Sequence, residues 1–373
     1  MKEAFIFFAG LLMVSGFACK SSRAVSNISS LPVMRIDPGP DNPRNSEGDF
    51  ITLKDGRIVL IYSRYFGESG DDHATAKLTR RESKDGGKTW STDDKVVVEK
   101  EGTMNVMSVS LLRLQNGKIA LFYLRKNSQS DCIPMMRLSG DEAATWTDPI
   151  PCITDKKGYF VLNNDRVIQL QNGRLVMAVA LHQTPEENKW HNNATLFSYY
   201  SDDNGATWHS GTAVANPGNV VFQEPGVVEL KNGDLMMIIR AGAGVQYKTY
   251  SKDKGESWSA GVPTTIQSPL SPATIQRIPS TGDLVMAWNN NGANNPPMKG
   301  KRTPFSLAIS KDDGNTWQHI RDIETDPDGW YCYTAMHFNK KNILLGYCAG
   351  SQVKKTHLSV LAVRQFPIKQ LYK

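Results

Sequence analysis

The chain has 373 residues, enough for a large core in one domain or two, and its 40% hydrophobic and 21% charged residues are ordinary for a folded protein. Its net charge of +6 is spread without a basic run or an interleaving of basic and aromatic residues, which argues against a nucleic-acid surface. No segment after residue 20 is long and apolar enough to cross a bilayer as a helix.

At the start, Lys2 precedes an apolar stretch over residues 4–14, then the small residues Ser15, Gly16 and Ala18. This pattern predicts a secretion signal over 1–18. Cys19, followed by Lys20, Ser21 and Ser22, resembles the lipid-acceptor cysteine of a bacterial lipoprotein. Gly16 and Phe17 depart from the usual lead-in, so lipidation at Cys19 with membrane attachment and plain cleavage after Ala18 both stay open. Either route exports the protein, to the periplasm or the cell surface. Residues 19–30 read as a linker and 31–373 as one domain. Export permits disulfides, and the remaining Cys132, Cys152, Cys332 and Cys348 allow three pairings. They form no tight CxxC clip, so no metal is expected.

From there the chain repeats itself. LKDGRIVLIY starts at Leu53, LQNGKIALFY at Leu114, LQNGRLVMAV at Leu170, LKNGDLMMII at Leu230, STGDLVMAW at Ser280 and NKKNILLGY at Asn339. Asp-Gly or Asn-Gly between apolar runs predicts a β-hairpin, with type I′ turns that need positive φ at both central residues. Six hairpins, each about 50–60 residues from the next, predict an all-β, six-bladed propeller of four-stranded antiparallel blades. Between them lie five octapeptides: SKDGGKTW (83–90), SGDEAATW (139–146), SDDNGATW (201–208), SKDKGESW (251–258) and SKDDGNTW (310–317). Asp and Gly suit a tight turn, and the Trp can pack between blades, so these are structural turns. The sixth hairpin has no copy. The strand HLSVLAV (357–363) is expected to pair with an N-terminal strand instead, leaving no open sheet edge.

These octapeptides are Asp-box, or BNR, repeats, and five of them on six hairpins resemble the sialidase (neuraminidase) superfamily, over essentially all of residues 31–367. The resemblance implies an exo-α-sialidase-like glycoside hydrolase acting on sialylated or other acidic glycans, without a cofactor. It also implies a site. The first of the family's three arginines falls on Arg44 of PRNSEGD, with Arg35 of MRIDP as the other reading. The acid/base Asp falls in the loop before the first Asp box, on Asp71 in preference to its neighbour Asp72, which would bind substrate; Arg64 of YSRY would support the same region. QEPGVVELKNGDLMMIIR supplies Glu224 and the second arginine, Arg240, and KRTPFSLAIS supplies the third, Arg302. The nucleophilic Tyr falls on Tyr333, with Tyr331 in reserve.

The chemistry of the residue types agrees with these roles. Three guanidiniums can hold the carboxylate of a 2-keto sugar acid through bidentate hydrogen bonds that Lys cannot copy. A carboxylate nucleophile would be repelled by that carboxylate, whereas a Tyr activated by Glu224 would not. Asp71 would protonate the leaving oxygen and later deprotonate the attacking water.

Three departures leave the sugar open. Around Arg44 the family's Arg-Ile-Pro motif is replaced, and Glu47 is expected to pair with that arginine where Cys348 takes the place of the usual acidic residue. In YFVLNNDR (159–166), Asn163, Asn164, Asp165 and Arg166 would present polar groups to the sugar, as would Asn105; the alternative is that they cap a turn or pair within the propeller. A lyase or hydrolase acting on other acidic glycans, and a non-catalytic glycan-binding surface lipoprotein, are the competing readings.

Overall fold

A computed structural model describes Met1 and residues 32–187, 189–292 and 300–373. The rest of the expected signal segment, Cys19 and the linker lie outside these residues.

After β1 (Met34–Ile36), the first sheet runs in chain order through β2 (Asn45–Thr52), β3 (Ile58–Tyr65), β4 (Ala76–Ser83) and β5 (Lys95–Val98). Next come β6 (Asn105–Arg113), β7 (Ile119–Ser128), β8 (Asp131–Ser139) and β9 (Ile150–Pro151). They are followed by β10 (Tyr159–Val161), β11 (Val167–Gln169), β12 (Leu175–Gln183), β13 (Thr195–Ser201) and β14 (His209–Ser210). These nine strands form one sheet, in which the β8–β10 joint is one parallel pairing, Tyr159 with Cys132. A four-stranded sheet follows, β15 (Phe222–Glu229), β16 (Leu235–Ala241), β17 (Val245–Ser251) and β18 (Val262–Gln267). Another comprises β19 (Thr274–Arg277), β20 (Leu284–Asn289), β21 (Phe305–Ser310) and β22 (Gln318–Glu324). The last holds β23 (Gly329–Asn339), β24 (Asn342–Ser351) and β25 (Leu361–Pro367), with β1 on its outer edge.

The fold is thus all-β, in five sheets where the six hairpins predicted six. The difference lies at the Tyr159–Cys132 bridge, which joins two antiparallel groups into one sheet. The innermost strands contact one another in sequence: β2 with β6, β6 with β11, β11 with β15, β15 with β19, β19 with β23, and β23 with β2. Apolar residues from neighbouring groups meet between them. Ile51, Val59 and Ile61 of the first sheet pack with Val106, Leu121 and Tyr123 of the next. Each such side chain contributes about 1.5–3 kcal/mol when withdrawn from water.

The hairpin turns differ from the expected type I′. In the five glycine-centred turns only the glycine has positive φ, +87° at Gly56 where Asp55 does not, and in the sixth Lys340 takes that role at +56°. Leu53 N donates to Arg57 O at 2.8 Å and Gly56 N to Leu53 O at 3.0 Å, which is a three-residue loop with one left-handed residue. Asp55 instead accepts from Arg57 N at 3.0 Å, and Asn116, Asn172 and Asn232 accept in the same way two residues ahead. That side-chain turn replaces the second left-handed residue.

Each octapeptide links the third and fourth strands of its group, as between β4 and β5. Ser83 Oγ donates to Asp85 Oδ1 at 2.9 Å and accepts from Gly87 N at 2.8 Å. Asp85 also accepts from Thr89 N and Thr89 Oγ1, at 2.9 and 2.6 Å. Trp90 Nε1 closes the turn on Gly87 O at 3.2 Å. In the divergent copy, Ala143 holds φ at +62° and still donates to Ser139 Oγ at 2.9 Å. The last sheet has no octapeptide for a topological reason. Its fourth strand is β1, from the other end of the chain, so no turn joins it to β25. The strand expected over 357–363 runs over Leu361–Pro367, with Val363 opposite Met34. Cys132, Cys152, Cys332 and Cys348 are free and buried.

Hydrogen bonds from Thr89, beginning with its hydroxyl, hold Asp85 at about 2. The corresponding Asp141, Asp203, Asp253 and Asp312 are also held at about 2. An Asp held lower in the fold than in the unfolded chain stabilises fully above its unfolded value, near 3.9, and ceases to as pH falls through the folded one. Thermal unfolding followed by circular dichroism is therefore expected to show stability falling between about pH 4 and about pH 2. Asp203→Asn should lower the midpoint at pH 6 and make this acid loss shallower.

Candidate active site

Four of the innermost strands carry the same irregularity. On β2, β6, β15 and β23, two residues oppose one on the partner strand, after Ser46, Met107, Gln223 and Cys332. The first extra residue is left-handed each time: Glu47 at φ +53°, Ser108 at +60°, Glu224 at +35° and Tyr333 at +52°. Glycine usually takes this position in a bulge, and each of these residues carries roughly 1–2 kcal/mol of backbone strain. Gly48 lets β2 take the bend, since a Cβ there would stand 2.8 Å from Ile61 O. All four left-handed residues line one cavity of about 330 Å³.

Tyr333 Oη donates to Glu224 Oε1 at 3.1 Å, and Arg240 Nη1 donates to Glu224 Oε2. Burial pushes the Glu224 carboxyl up, but Arg240 outweighs this and holds it below the usual carboxylate range. Burial, then the Glu224 charge, pushes the Tyr333 phenol well above its ordinary value. The phenol therefore holds its proton at neutral pH, with an ionised carboxylate in reach to take it. Arg302 stands alongside, its guanidinium 5.6 Å from the centre of the Tyr333 ring. Arg302 Nη1 and Arg240 Nε are buried with no hydrogen-bond partner among the described residues, and both residues line the cavity. Unpaired cationic donors here suit an anionic ligand.

Arg44 is 2% exposed and lies behind this wall. It donates to Glu47 Oε1 at 2.7 Å, Asp72 Oδ1 at 2.5 Å and Ser46 Oγ at 2.9 Å, and covers the Tyr65 ring at 4.6 Å. The pairing expected of Glu47 is present, and Ser108 Oγ donates to its other oxygen at 2.6 Å. Asp72 lines the cavity with its side chain more than half exposed, whereas Asp71 is exposed and does not line it. Desolvation pushes the Asp72 carboxyl up, but Arg44 outweighs it and holds the group below the usual range.

Other residues singled out in the sequence stand elsewhere. Arg35 is on the outer β1, paired with Asp37 at 2.8 Å. Arg64 pairs with Asp94 at 3.1 Å, and Tyr331 packs in the core with Phe305 and Tyr347. Asn105 supports the acid loop from behind, donating to Asp72 O at 3.0 Å and Ala74 O at 2.7 Å. Asn164, Asp165 and Arg166 do not face this cavity, although Asn163 does. Their polar atoms instead satisfy backbone groups between strands. Asn164 Nδ2 donates to Gly48 O at 2.9 Å and Tyr333 O at 3.1 Å. Asp165 accepts from Gln276 Nε2 and Met336 N, and Arg166 donates to Thr274 Oγ1 and Ala273 O. Asp165 and Arg166 line a second cavity of about 540 Å³.

The far wall was missed from the sequence. It includes Lys126, Tyr159, His182 and Trp190, drawn from strands and loops with no common motif. The His182 and Trp190 rings stack with centres 4.3 Å apart, and Trp190 meets Tyr159 edge-on at 5.2 Å. A Lys following an apolar run carries no sequence signal that would mark it for this wall.

Known proteins resemble this chain in sequence and in fold. A family described as a BNR repeat-like domain matches residues 61–345. A sialidase of Paraclostridium sordellii is 27% identical over 231 residues, covering 56% of this chain and 55% of its own. A sialidase of Clostridium perfringens is 28% identical over 269 residues, covering 64% and 66%. The chain thus spans a little over half to about two thirds of those relatives. A leech intramolecular trans-sialidase superposes with a TM-score of 0.71 over 92% of this chain and 71% of the other, at 15% identity, which is a likeness of fold.

The Arg44–Glu47 pair gives a direct test of the site's construction, since both side chains are at most 4% exposed. Glu47→Ala leaves a buried guanidinium short of one partner and is expected to cost on the order of 3 kcal/mol in urea unfolding. Glu47→Gln, which still fills the space, should cost less.

Proposed function

The chain belongs to the BNR repeat-like domain family, and we propose that it is a retaining glycoside hydrolase of the exo-sialidase type. Its substrate is a glycan ending in sialic acid or a related 2-keto-3-deoxy sugar acid, met outside the cytoplasm by an exported protein. The reading includes a six-bladed propeller, with the antiparallel groups on either side of the Tyr159–Cys132 pairing counted as separate blades. The unbroken cycle of contacts among the six innermost strands supports that count.

The observation that carries the reading is the Tyr333–Glu224–Arg240 chain at the cavity wall. In the proposed mechanism Arg240 and Arg302 take the substrate carboxylate, with Arg44 contributing from behind. Tyr333 Oη attacks the anomeric carbon while Glu224 accepts its proton. Asp72, which Arg44 holds ionised, must first take up a proton, so acidic pH favours this step; it then gives that proton to the leaving glycosidic oxygen as that bond breaks. Water then displaces the tyrosine, giving a proton to Asp72 while the leaving phenolate takes its proton back from Glu224, and a free keto acid leaves with its configuration retained. Asp72 suits the acid role better than Asp71, since it stands at the cavity mouth, where a leaving group would depart.

The test is release of free sugar acid from sialyl, deaminated-sialyl and Kdo-type conjugates. Tyr333→Phe and Glu224→Gln are each expected to lower kcat by about 10²–10⁴-fold. Asp72→Asn should impair natural glycosides far more than aryl glycosides whose leaving group needs no proton, and Asp71→Asn should stay near wild type. Equal turnover by wild type and Tyr333→Phe would overturn the reading.

A further inference from the structure

Lys126 is 1% exposed, an unusual place for an ammonium, and it lines the candidate active site. It sits near the end of β7, opposite Asn105 on β6 and Cys132 on β8. Its Nζ donates to Asp72 O at 2.6 Å and stands 5.3 Å from the centre of the Tyr159 ring. Among the described residues, that carbonyl is its one hydrogen-bond acceptor. An ammonium has three N–H donors; the Asp72 and Glu47 carboxylates offset its charge through space, but one carbonyl leaves its donors incompletely satisfied. A structural lysine that only pinned the Asp72 loop would duplicate Asn105, which already holds the same carbonyl at 3.0 Å. Asn163 Nδ2, another buried donor in a cavity-lining residue, has no hydrogen-bond partner among the described residues.

The place of Lys126 in the fold matters as much as its burial. Along the cycle of innermost strands, β6 and β19 are separated by two other strands in either direction. Lys126 belongs to the group of β6, and Arg302 precedes β21 in the group of β19. The two cations therefore face one cavity from opposite sides. In the six-membered ring of a 2-keto sugar acid, the carbon bearing the carboxylate (C2) stands across from C5. A sugar whose carboxylate rests on Arg240 and Arg302 would turn its C5 substituent towards Lys126.

We propose that Lys126 is a specificity-determining residue, which takes an oxygen acceptor on C5 and rejects a cationic amine there. The proposal rests on the substrate class of the preceding section but not on turnover. An acceptor oxygen would complete the ammonium's hydrogen bonds, whereas a C5 ammonium would place like charges together in a confined space. The structure thus assigns opposite tasks to its two kinds of cation: the arginines read the planar carboxylate, and the lysine reads the far side of the ring.

The experiment is calorimetric binding of two methyl glycosides, one of the deaminated acid with hydroxyl on C5 and one of neuraminic acid with ammonium on C5. Wild type is expected to bind the hydroxyl ligand about 10- to 100-fold more tightly. Lys126→Met should bring that ratio close to one. A merely structural lysine would weaken both ligands alike and leave the ratio standing. Lys126→Gln, which keeps a donor without the charge, reads the same ratio should the Met variant not fold. The proposal is overturned if wild type binds both ligands equally or neither, or if the ratio survives loss of the charge. A wild type that shows the preference yet releases no sugar acid from any conjugate would overturn the hydrolase reading and leave Lys126 in its assigned role.

Discussion

A left-handed residue at the same point of four inner strands is the constraint on which the site depends. A regular strand sends alternate side chains to opposite faces of its sheet. The extra residue at Glu47, Ser108, Glu224 and Tyr333 breaks that alternation and turns the side chain to the cavity. None of the four is glycine, so the backbone is strained at each. Side-chain partners hold them there: Ser108 on β6 and Arg44 just before β2 hold Glu47, and Tyr333 on β23 and Arg240 on β16 hold Glu224. The bonds that make the site chemically competent therefore also fix its backbone.

This double use explains what the sequence could disclose. The Asp boxes and the Gly-centred hairpins were legible because their geometry is local, as the Ser83–Asp85–Thr89 bonds show. The type I′ assignment went wrong within the same short range, because Asp55 could serve the turn through its side chain as well as its backbone. Glu224, Arg240, Arg302 and Tyr333 were found by order along the repeats, and the fold brings them together. The sequence favours Asp71 over Asp72 as the acid, whereas it is Asp72 that lines the cavity; adjacent loop residues differ only in which way the chain turns. Lys126 escaped notice because nothing in IALFYLRKNS tells a cavity-facing lysine from one at the frayed end of a strand.

Asn164, Asp165 and Arg166 show the opposite failure, polar residues that looked like ligand contacts and prove to be internal ties. Arg166 reaches Thr274, Asp165 reaches Gln276 and Met336, and Asn164 reaches both Gly48 and Tyr333. Three sheets and the groups within them are linked through one short segment. Burial, and then nearby Asp165, pushes the Asp49 carboxyl well up, while burial raises Asp165 to about 7. Charge at the centre of the molecule is thus kept low despite its acidic residues. The carbonyl of Tyr333 is held from below by this tie, so the reactive face and the interior are not mechanically independent.

The pairing of β1 with β25 has a consequence for the life of the chain before it is complete. Met34 leaves the ribosome early, but its partner Val363 is made more than three hundred residues later. At 5–20 residues per second, that interval is roughly 15–65 s. The earlier sheets can pair locally as they emerge, while the first strand must wait with an unpaired edge. Completion of the last sheet is therefore among the last events of biogenesis.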